Sequence, residues 1–133
     1  MDRADVVIVD DDRPWTQAVG QVLHEAGFTV QTAGDGEQGL ELLVEARPRL
    51  VILDVHMPRL DGMQLLRQFR QRDGQTPVVM ISAEDQASIQ DRAMSEGANA
   101  FLRKPISVSL LLRIVHRFLG ERIHRSESDG ISP

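Results

Sequence analysis

The chain has 133 residues, no cysteine, and 20 acidic against 15 basic side chains, for a formal net charge of -5 at pH 7. This length predicts one domain that buries about two-thirds of its unfolded surface, and the lack of cysteine excludes a disulfide framework, thiolate catalysis and cysteine-based zinc sites. The acidic balance argues against direct nucleic-acid binding, and the charged N-terminus and short apolar runs predict a cytoplasmic protein with neither signal peptide nor membrane span.

Five short apolar runs alternate with amphipathic segments along the chain. Runs of Val, Ile and Leu at this length are typical of strands buried on both faces, and their alternation with helices predicts a parallel sheet covered on both sides. The predicted fold class is therefore α/β. The runs cover residues 5–10, 28–33, 50–54, 77–82 and 100–103.

Helical periodicity is clearest between the first two runs, where apolar residues recur at i, i+3 and i+4 from Trp15 to Ala26. Pro14 near the start and Gly27 just past the end are favoured at those positions. The same spacing predicts helices at about 36–46, 62–71 and 85–96, the second of them preceded by a turn and cap at Asp61-Gly62. Their inward residues are predicted to be Leu40, Leu43, Val44, Leu65, Leu66, Phe69, Ile89, Ala93 and Met94.

The last predicted helix, about 107–119, is different because its apolar residues cover about 200° of the helical wheel. A helix on a sheet needs an apolar stripe of little more than ~100°. The surplus apolar surface either packs against a partner, such as a second copy of the chain, or is buried within the chain itself. The sequence leaves both alternatives open. After Gly120 the sequence becomes polar, which predicts a domain over residues 1–120 and a tail or the start of a linker over 121–133. The apolar residues of the helix are Leu110, Leu111, Leu112, Ile114, Val115, Phe118 and Leu119.

Carboxylates follow two of the apolar runs. Asp10, Asp11 and Asp12 come after the first run, and Asp54 ends the third. The carboxyl ends of parallel strands meet at one edge of a sheet, where ligands bind. Clustered like charges need a cation, and Mg²⁺ takes one or two protein carboxylates together with water and phosphate oxygens. The sequence therefore predicts a Mg²⁺ or Mn²⁺ site at this edge; the alternative is a solvated turn that caps the first helix.

Two further polar side chains stand at predicted strand ends. Lys104 follows the fifth run, precedes Pro105, and is the only lysine in the chain. Its ammonium offers a point charge for a phosphate oxygen, and the hydroxyl of Ser82, at the end of the fourth run, can donate to another. The alternatives are a plain surface lysine and a serine bonded to its own backbone.

Taken in order, these pieces resemble the receiver domain of two-component response regulators, the phosphoaccepting module typified by the chemotaxis response regulator. The resemblance extends over about residues 5–120 and implies a doubly wound, flavodoxin-like (βα)5 fold with strand order 2-1-3-4-5. The matching segments are 9–12, 53–58 with 61–62 after it, 80–84 and 101–105.

The resemblance implies that Asp54 accepts a phosphoryl group from a sensor histidine kinase or a phosphotransfer protein. Asp11 and Asp54 would bind the metal directly, Asp10 largely through water, and the backbone carbonyl of His56 would complete the protein ligands. Asp12 would then take no part.

The same resemblance assigns the phosphoryl oxygens to Lys104, across a cis Lys104-Pro105 bond, and to Ser82. Ser82 and Phe101 would switch the surface of the fourth helix, fifth strand and last helix for partner binding or dimerisation. His56 and Glu84 would set the lifetime of the aspartyl phosphate. Because residue 101 is phenylalanine, a tyrosine hydroxyl cannot contribute to the switch.

Three other functions share parts of this pattern. A magnesium-dependent phosphohydrolase with an aspartate nucleophile would need a threonine soon after the first strand, and residues 10–14 lack one. A flavin-binding protein would need a hydroxyl-rich phosphate loop there, and this loop is acidic. An interaction module that has lost phosphorylation would lack part of the chemical set, and no part is missing. The expected function is a non-enzymatic phosphoacceptor whose downstream target or output domain the sequence does not name.

Overall fold

The structure, a computed structural model, describes residues 3–84 and 87–120. Strands and helices alternate along it, so the predicted α/β class is confirmed, and the predicted element boundaries agree within one or two residues. The tail predicted over 121–133 lies outside the described residues. The strands are β1 (Val6–Val9), β2 (Val30–Ala33), β3 (Leu50–Asp54), β4 (Val78–Ser82) and β5 (Ala100–Arg103), and the helices are α1 (Arg13–Glu25), α2 (Gly36–Ala46), α3 (Gly62–Arg72), α4 (Ala87–Ser95) and α5 (Val108–Leu119).

The strands form one parallel sheet in the order β2-β1-β3-β4-β5, as the resemblance implied. β1 and β3 are neighbours at its centre, and Val9 pairs with Leu53. The next residues, Asp10 and Asp54, therefore lie side by side at the carboxyl edge. The register of the sheet alone brings the two predicted acids together.

Two apolar clusters fill the space between the sheet and its helices. One lies under α2, α3 and α4 and the other under α1 and α5, so both faces of the sheet are covered. The strands β1, β3 and β4 are buried along their whole length, which explains their continuous apolar sequences.

Two of the predicted inward residues are exposed. Val44 is 48% exposed and Met94 is 43% exposed, so these predictions are wrong. In α2 the buried face includes Gly39, where an added Cβ would lie 2.6 Å from Val9 Cγ1. The helix packs so closely on β1 that glycine occupies a contact position, which a search for large apolar residues does not detect.

Most side chains of the wide apolar arc of α5 pack against other parts of the chain. Leu111 and Val115 are buried, and most of the remaining apolar residues pack partly buried against the cluster shared with α1. Intramolecular burial therefore accounts for most of the surplus, and the apolar side chain left most exposed on this helix is Val108, at 50%.

A close backbone approach positions the strand end that bears Asp54. Asp61 caps α3 with a capping box completed by Gln64, and the N–H of Gly62 donates to the carbonyl of Val55 over 2.8 Å. An ideal Cβ on Gly62 would lie 2.0 Å from the backbone oxygen of Asp54. Only glycine allows α3 to start this close to β3.

We predict that Gly62→Ala destabilises the protein by about 1–3 kcal/mol or more, because the backbone must shift to accommodate the methyl group. Gly74→Ala is the matched control, since nothing lies within 4 Å of a Cβ at that position. Urea unfolding of both variants would test the prediction, and equal stability of the two would contradict it.

Candidate functional site

Three carboxylates meet at the carboxyl edge of the sheet. Asp10, Asp11 and Asp54 each present an oxygen, and these oxygens lie within 4.8 Å of one another. Asp10 is 1% exposed and Asp54 is 5% exposed, whereas Asp11 is open to solvent. The predicted acidic cluster thus exists in the described residues, with two of its members buried.

The third acid of the run has a separate task. Asp12 is the N-cap of α1, and its carboxylate accepts a hydrogen bond from the backbone N–H of Trp15 over 3.1 Å. Its own N–H donates to Asp10 Oδ1 over 2.9 Å. The helix-cap interpretation therefore holds for Asp12 alone, and this cap also fixes the orientation of Asp10.

Lys104 lies among the acids rather than on the open surface. Its Nζ is 2.8 Å from Asp10 Oδ2 and 4.0 Å from Asp54 Oδ2, and the Lys104-Pro105 peptide bond is cis. Burial alone would lower the pKa of this ammonium, but its hydrogen bond to Asp10 and the nearby negative charges outweigh that effect. The pKa of Lys104 is therefore raised, and the side chain is a fixed cation in the cluster.

The positive charge of Lys104 does not fully compensate the acids. Burial, followed by repulsion from Asp10, raises the pKa of Asp54 from 3.8 to about 7, although Lys104 acts in the opposite direction. Ionised Asp54 is thus held in an environment with too little positive charge. Oxygen donors, high negative charge and one open side are what a divalent cation such as Mg²⁺ selects, so the residues present fit such an ion.

Ser82 is the last residue of β4 and Glu84 comes two residues later, beside the strand end that bears Asp54. Ser82 is completely buried, and its Oγ accepts a hydrogen bond from the backbone N–H of Glu84 over 3.0 Å. The backbone-bonded serine considered as an alternative is therefore present, but the hydroxyl proton remains to be donated. His56 Nε2 lies 2.9 Å from Glu84 Oε2, which joins the segment after β3 to the segment after β4.

Phe101 lies on the same face of the sheet as Ser82. It pairs in register with Met80, and residues two apart on a strand share a face. The ring is partly buried and packs against the cluster under α2, α3 and α4. The ring therefore packs in the core, and this packing is compatible with the switch role that the resemblance implies.

Sequence reasoning missed two features beside the acids. Trp15, taken only as an apolar residue of α1, holds its ring centroid 5.1 Å from Lys104 Nζ. A cavity of about 180 Å³ also opens beside Asp10. The residues that line this cavity come from three elements separated in sequence, so no local sequence pattern predicts it. The lining includes Arg13, Thr16, Gln17, Thr32 and Gln38.

Comparison with known proteins identifies the family. A model described as the response regulator receiver domain matches residues 6–116. The chain belongs to this family. Receiver domains are signalling phosphoacceptors that partner with histidine kinases and typically bind Mg²⁺ through an aspartate cluster, and the acidic group described above fits that pattern.

Relatives of the receiver domain include the response regulator MprA of Mycolicibacterium vanbaalenii, 36% identical over 107 residues, which are 80% of this chain and 46% of the relative. MprA of Mycobacterium avium is 30% identical over 127 residues, 96% of this chain and 56% of the relative. The chain therefore spans about half the length of the curated relatives it matches.

Solved structures agree with the fold. The chemotaxis protein CheY4 of Vibrio cholerae superposes with a TM-score of 0.82 at 32% identity and covers 88% of this chain and 99% of that one. The receiver domain of NtrX from Brucella abortus gives a TM-score of 0.81 at 32% identity, with 86% and 98% covered. Across residues 3–84 and 87–120, none of the helices combines the length and apolar character that crossing a bilayer requires.

The raised pKa of Asp54 predicts how stability depends on pH. Between pH 4 and pH 7 the folded chain keeps a proton that the unfolded chain releases, so the metal-free protein loses stability as the pH rises through this range. Asp54→Asn removes the charge. We expect it to be more stable than wild type at pH 8 by up to about 4 kcal/mol, with no gain near pH 4.

Urea unfolding in the presence of a chelator at both pH values measures this difference. Asp12→Asn is the matched control, because it removes an exposed neighbouring carboxylate while asparagine keeps the helix cap. A stability gain from Asp54→Asn that is the same at both pH values would contradict the prediction.

Proposed function

We propose that Asp54 accepts a phosphoryl group from the phosphohistidine of a sensor histidine kinase or phosphotransfer protein, in the cytoplasm. The observation that carries this proposal is one buried carboxylate held 4.0 Å from the only lysine and within 4.8 Å of two further acids. Asp10 has the same neighbours, but its two oxygens already accept hydrogen bonds, one from the N–H of Asp12 and one from Lys104. Because burial and repulsion from Asp10 raise the pKa of Asp54, the ionised form of this side chain needs additional positive charge.

The transfer is a single displacement at phosphorus. An oxygen of Asp54 forms the new bond, the bond from phosphorus to the imidazole nitrogen of the donor breaks, and the nitrogen keeps the electron pair. When bound, Mg²⁺ or Mn²⁺ would offset the repulsion between the carboxylate and the anionic donor. Asp11, Asp54 and the backbone carbonyl of His56 would hold this ion, and Asp10 would act through water.

The hydrogen bonds of Asp10 support its indirect role. One of its oxygens accepts from the N–H of Asp12 and the other from Lys104. Exposed Asp11 has more freedom to turn towards a cation. Lys104 has three N–H donors, so it can bind a phosphoryl oxygen while it keeps one bond to Asp10.

Ser82 and Phe101 couple the modification to the surface. The Ser82 hydroxyl can donate to a second phosphoryl oxygen while it still accepts from Glu84. Its movement towards the phosphoryl group would free space on the face that it shares with Phe101, and the ring would follow. A complete switch from 1:99 to 99:1 needs ~5.5 kcal/mol, which is a large demand on one hydroxyl and one ammonium, so we expect partial activity before phosphorylation.

The changed surface of α4, β5 and α5 is the expected output. It would bind a downstream target, an output domain or a second copy of the chain. Since most of the apolar arc of α5 is used internally, a dimer would depend on the residual apolar side chains such as Met94 and Val108, and we expect it to be weak without phosphorylation.

Phosphorylation with a small acyl or amido phosphate tests the acceptor. With Mg²⁺, intact mass spectrometry should show one phosphoryl group per chain for wild type and for the control Asp12→Asn, and none for Asp54→Asn. Omission of the metal should abolish uptake. Phosphate uptake by Asp54→Asn would refute the assignment, and repeated turnover of a small phosphate ester would favour a phosphohydrolase instead.

Gel filtration of the same samples tests the output. We expect phosphorylated wild type to elute earlier than the unmodified protein, because the exposed apolar side chains of α4 and α5 would pair across two copies. An unchanged elution volume after complete modification would count against dimerisation and leave the acceptor assignment intact.

The pair formed by His56 and Glu84 predicts the lifetime of the modified state. The pair links the segments after β3 and β4 beside Asp54, so breaking it should open a path for water. We expect His56→Ala and Glu84→Ala to be phosphorylated normally but to lose radiolabelled phosphate faster. The expected increase is about two- to tenfold, which is the rate factor that corresponds to the free energy of one hydrogen bond.

The variant that carries both His56→Ala and Glu84→Ala shows whether the two side chains slow phosphate loss together or independently. If the side chains act together, decay in the double variant should be no faster than in the faster single variant. The backbone carbonyl proposed for the metal is retained in all three. Unchanged decay in both single variants would exclude this role.

A further inference from the structure

We propose that Trp15 is a positioning residue for Lys104, whose indole face holds the ammonium over the acidic cluster. The ammonium lies over the ring, 5.1 Å from its centroid. This is within the range in which a cation is attracted by the negative face of an aromatic ring, and indole is the strongest of the natural side chains in this respect. The kinetic part of the inference rests on the proposed function, whereas the contact itself does not.

The ring is held from two directions. The backbone N–H of Trp15 donates to the Asp12 cap, which fixes the first turn of α1. The indole also packs, partly buried, against the apolar cluster shared by α1 and α5. A ring restrained by both the helix cap and the core offers a fixed surface on the side of the site formed by α1.

Lys104 needs such a surface. Four methylene groups separate the ammonium from the backbone, so the side chain must lose considerable rotational freedom to stay in one place. Its side chain is 20% exposed, and cation–π attraction is stronger where water is excluded. The ring attracts the ammonium even when the charge of Asp10 or Asp54 is compensated, so it would keep Lys104 in place when the acids attract it less.

A purely structural role for Trp15, as one more apolar residue of the core, is the alternative. Trp15 and Lys104 each occur once in the chain, so a label on either amino acid reports on a single side chain. The contact can therefore be measured in the full protein without any phosphoryl donor.

Nuclear magnetic resonance of protein grown with ¹³C-labelled lysine tests the contact directly. The single ε-methylene resonance should be shifted upfield by the ring current of Trp15, should return towards its free-lysine position in Trp15→Leu, and should keep part of the shift in Trp15→Phe. A wild-type resonance at the free-lysine position in the folded protein would overturn the proposal.

Tryptophan analogues with increasing ring fluorination test the consequence, because they weaken the π face with little change in shape. We expect the phosphorylation rate with a small amido phosphate to fall stepwise, by about two- to tenfold in all, while the melting temperature stays constant. A constant rate, or a rate that falls only in step with the melting temperature, would overturn the positioning role. Failure of unlabelled wild type to accept phosphate would instead contradict the proposed function and leave the resonance test standing.

Discussion

Two carboxylates buried side by side, Asp10 and Asp54, are the constraint on which the rest of this molecule depends. Their proximity follows from the pairing of β1 with β3, and burial together with mutual repulsion raises the pKa of Asp54 to about 7. One ammonium, that of Lys104, lies close enough to compensate them in part. A folded chain that keeps this unfavourable arrangement gains stability from added positive charge, which is what a bound divalent cation would supply.

The parts of the structure that follow from short sequence patterns could be predicted. A buried strand is visible as a continuous apolar run, and a parallel sheet necessarily collects the residues after its strands at one edge, so Asp54 and Lys104 could be placed together before any coordinates were known. Contacts that depend on how elements pack could not be predicted. Gly39 lies at a helix–sheet contact and Val44 does not, because the distance between α2 and β1 decides which positions are covered. The Trp15 ring and the Lys104 ammonium belong to segments about 90 residues apart, and only the packing of the folded chain brings them into contact.

The receiver domain also shows how one residue can serve two demands. Ser82 Oγ accepts the N–H of Glu84, and its own proton is the one that the proposed function assigns to a phosphoryl oxygen, so both hydrogen bonds could exist together. Asp12 caps α1 and at the same time orients Asp10 through its backbone. Two of the clustered acids, the helix cap and the indole beside Lys104 thus all lie within residues 10–15.

The central claim is that phosphorus becomes bonded to one particular carboxylate. Borohydride reduces an aspartyl phosphate to homoserine, so reduction of the phosphorylated 133-residue chain, followed by peptide mass spectrometry, identifies the acceptor residue. The account predicts homoserine at position 54 and at no other aspartate. Homoserine at position 10 or 11, or at none of the aspartates of a fully phosphorylated sample, would contradict it.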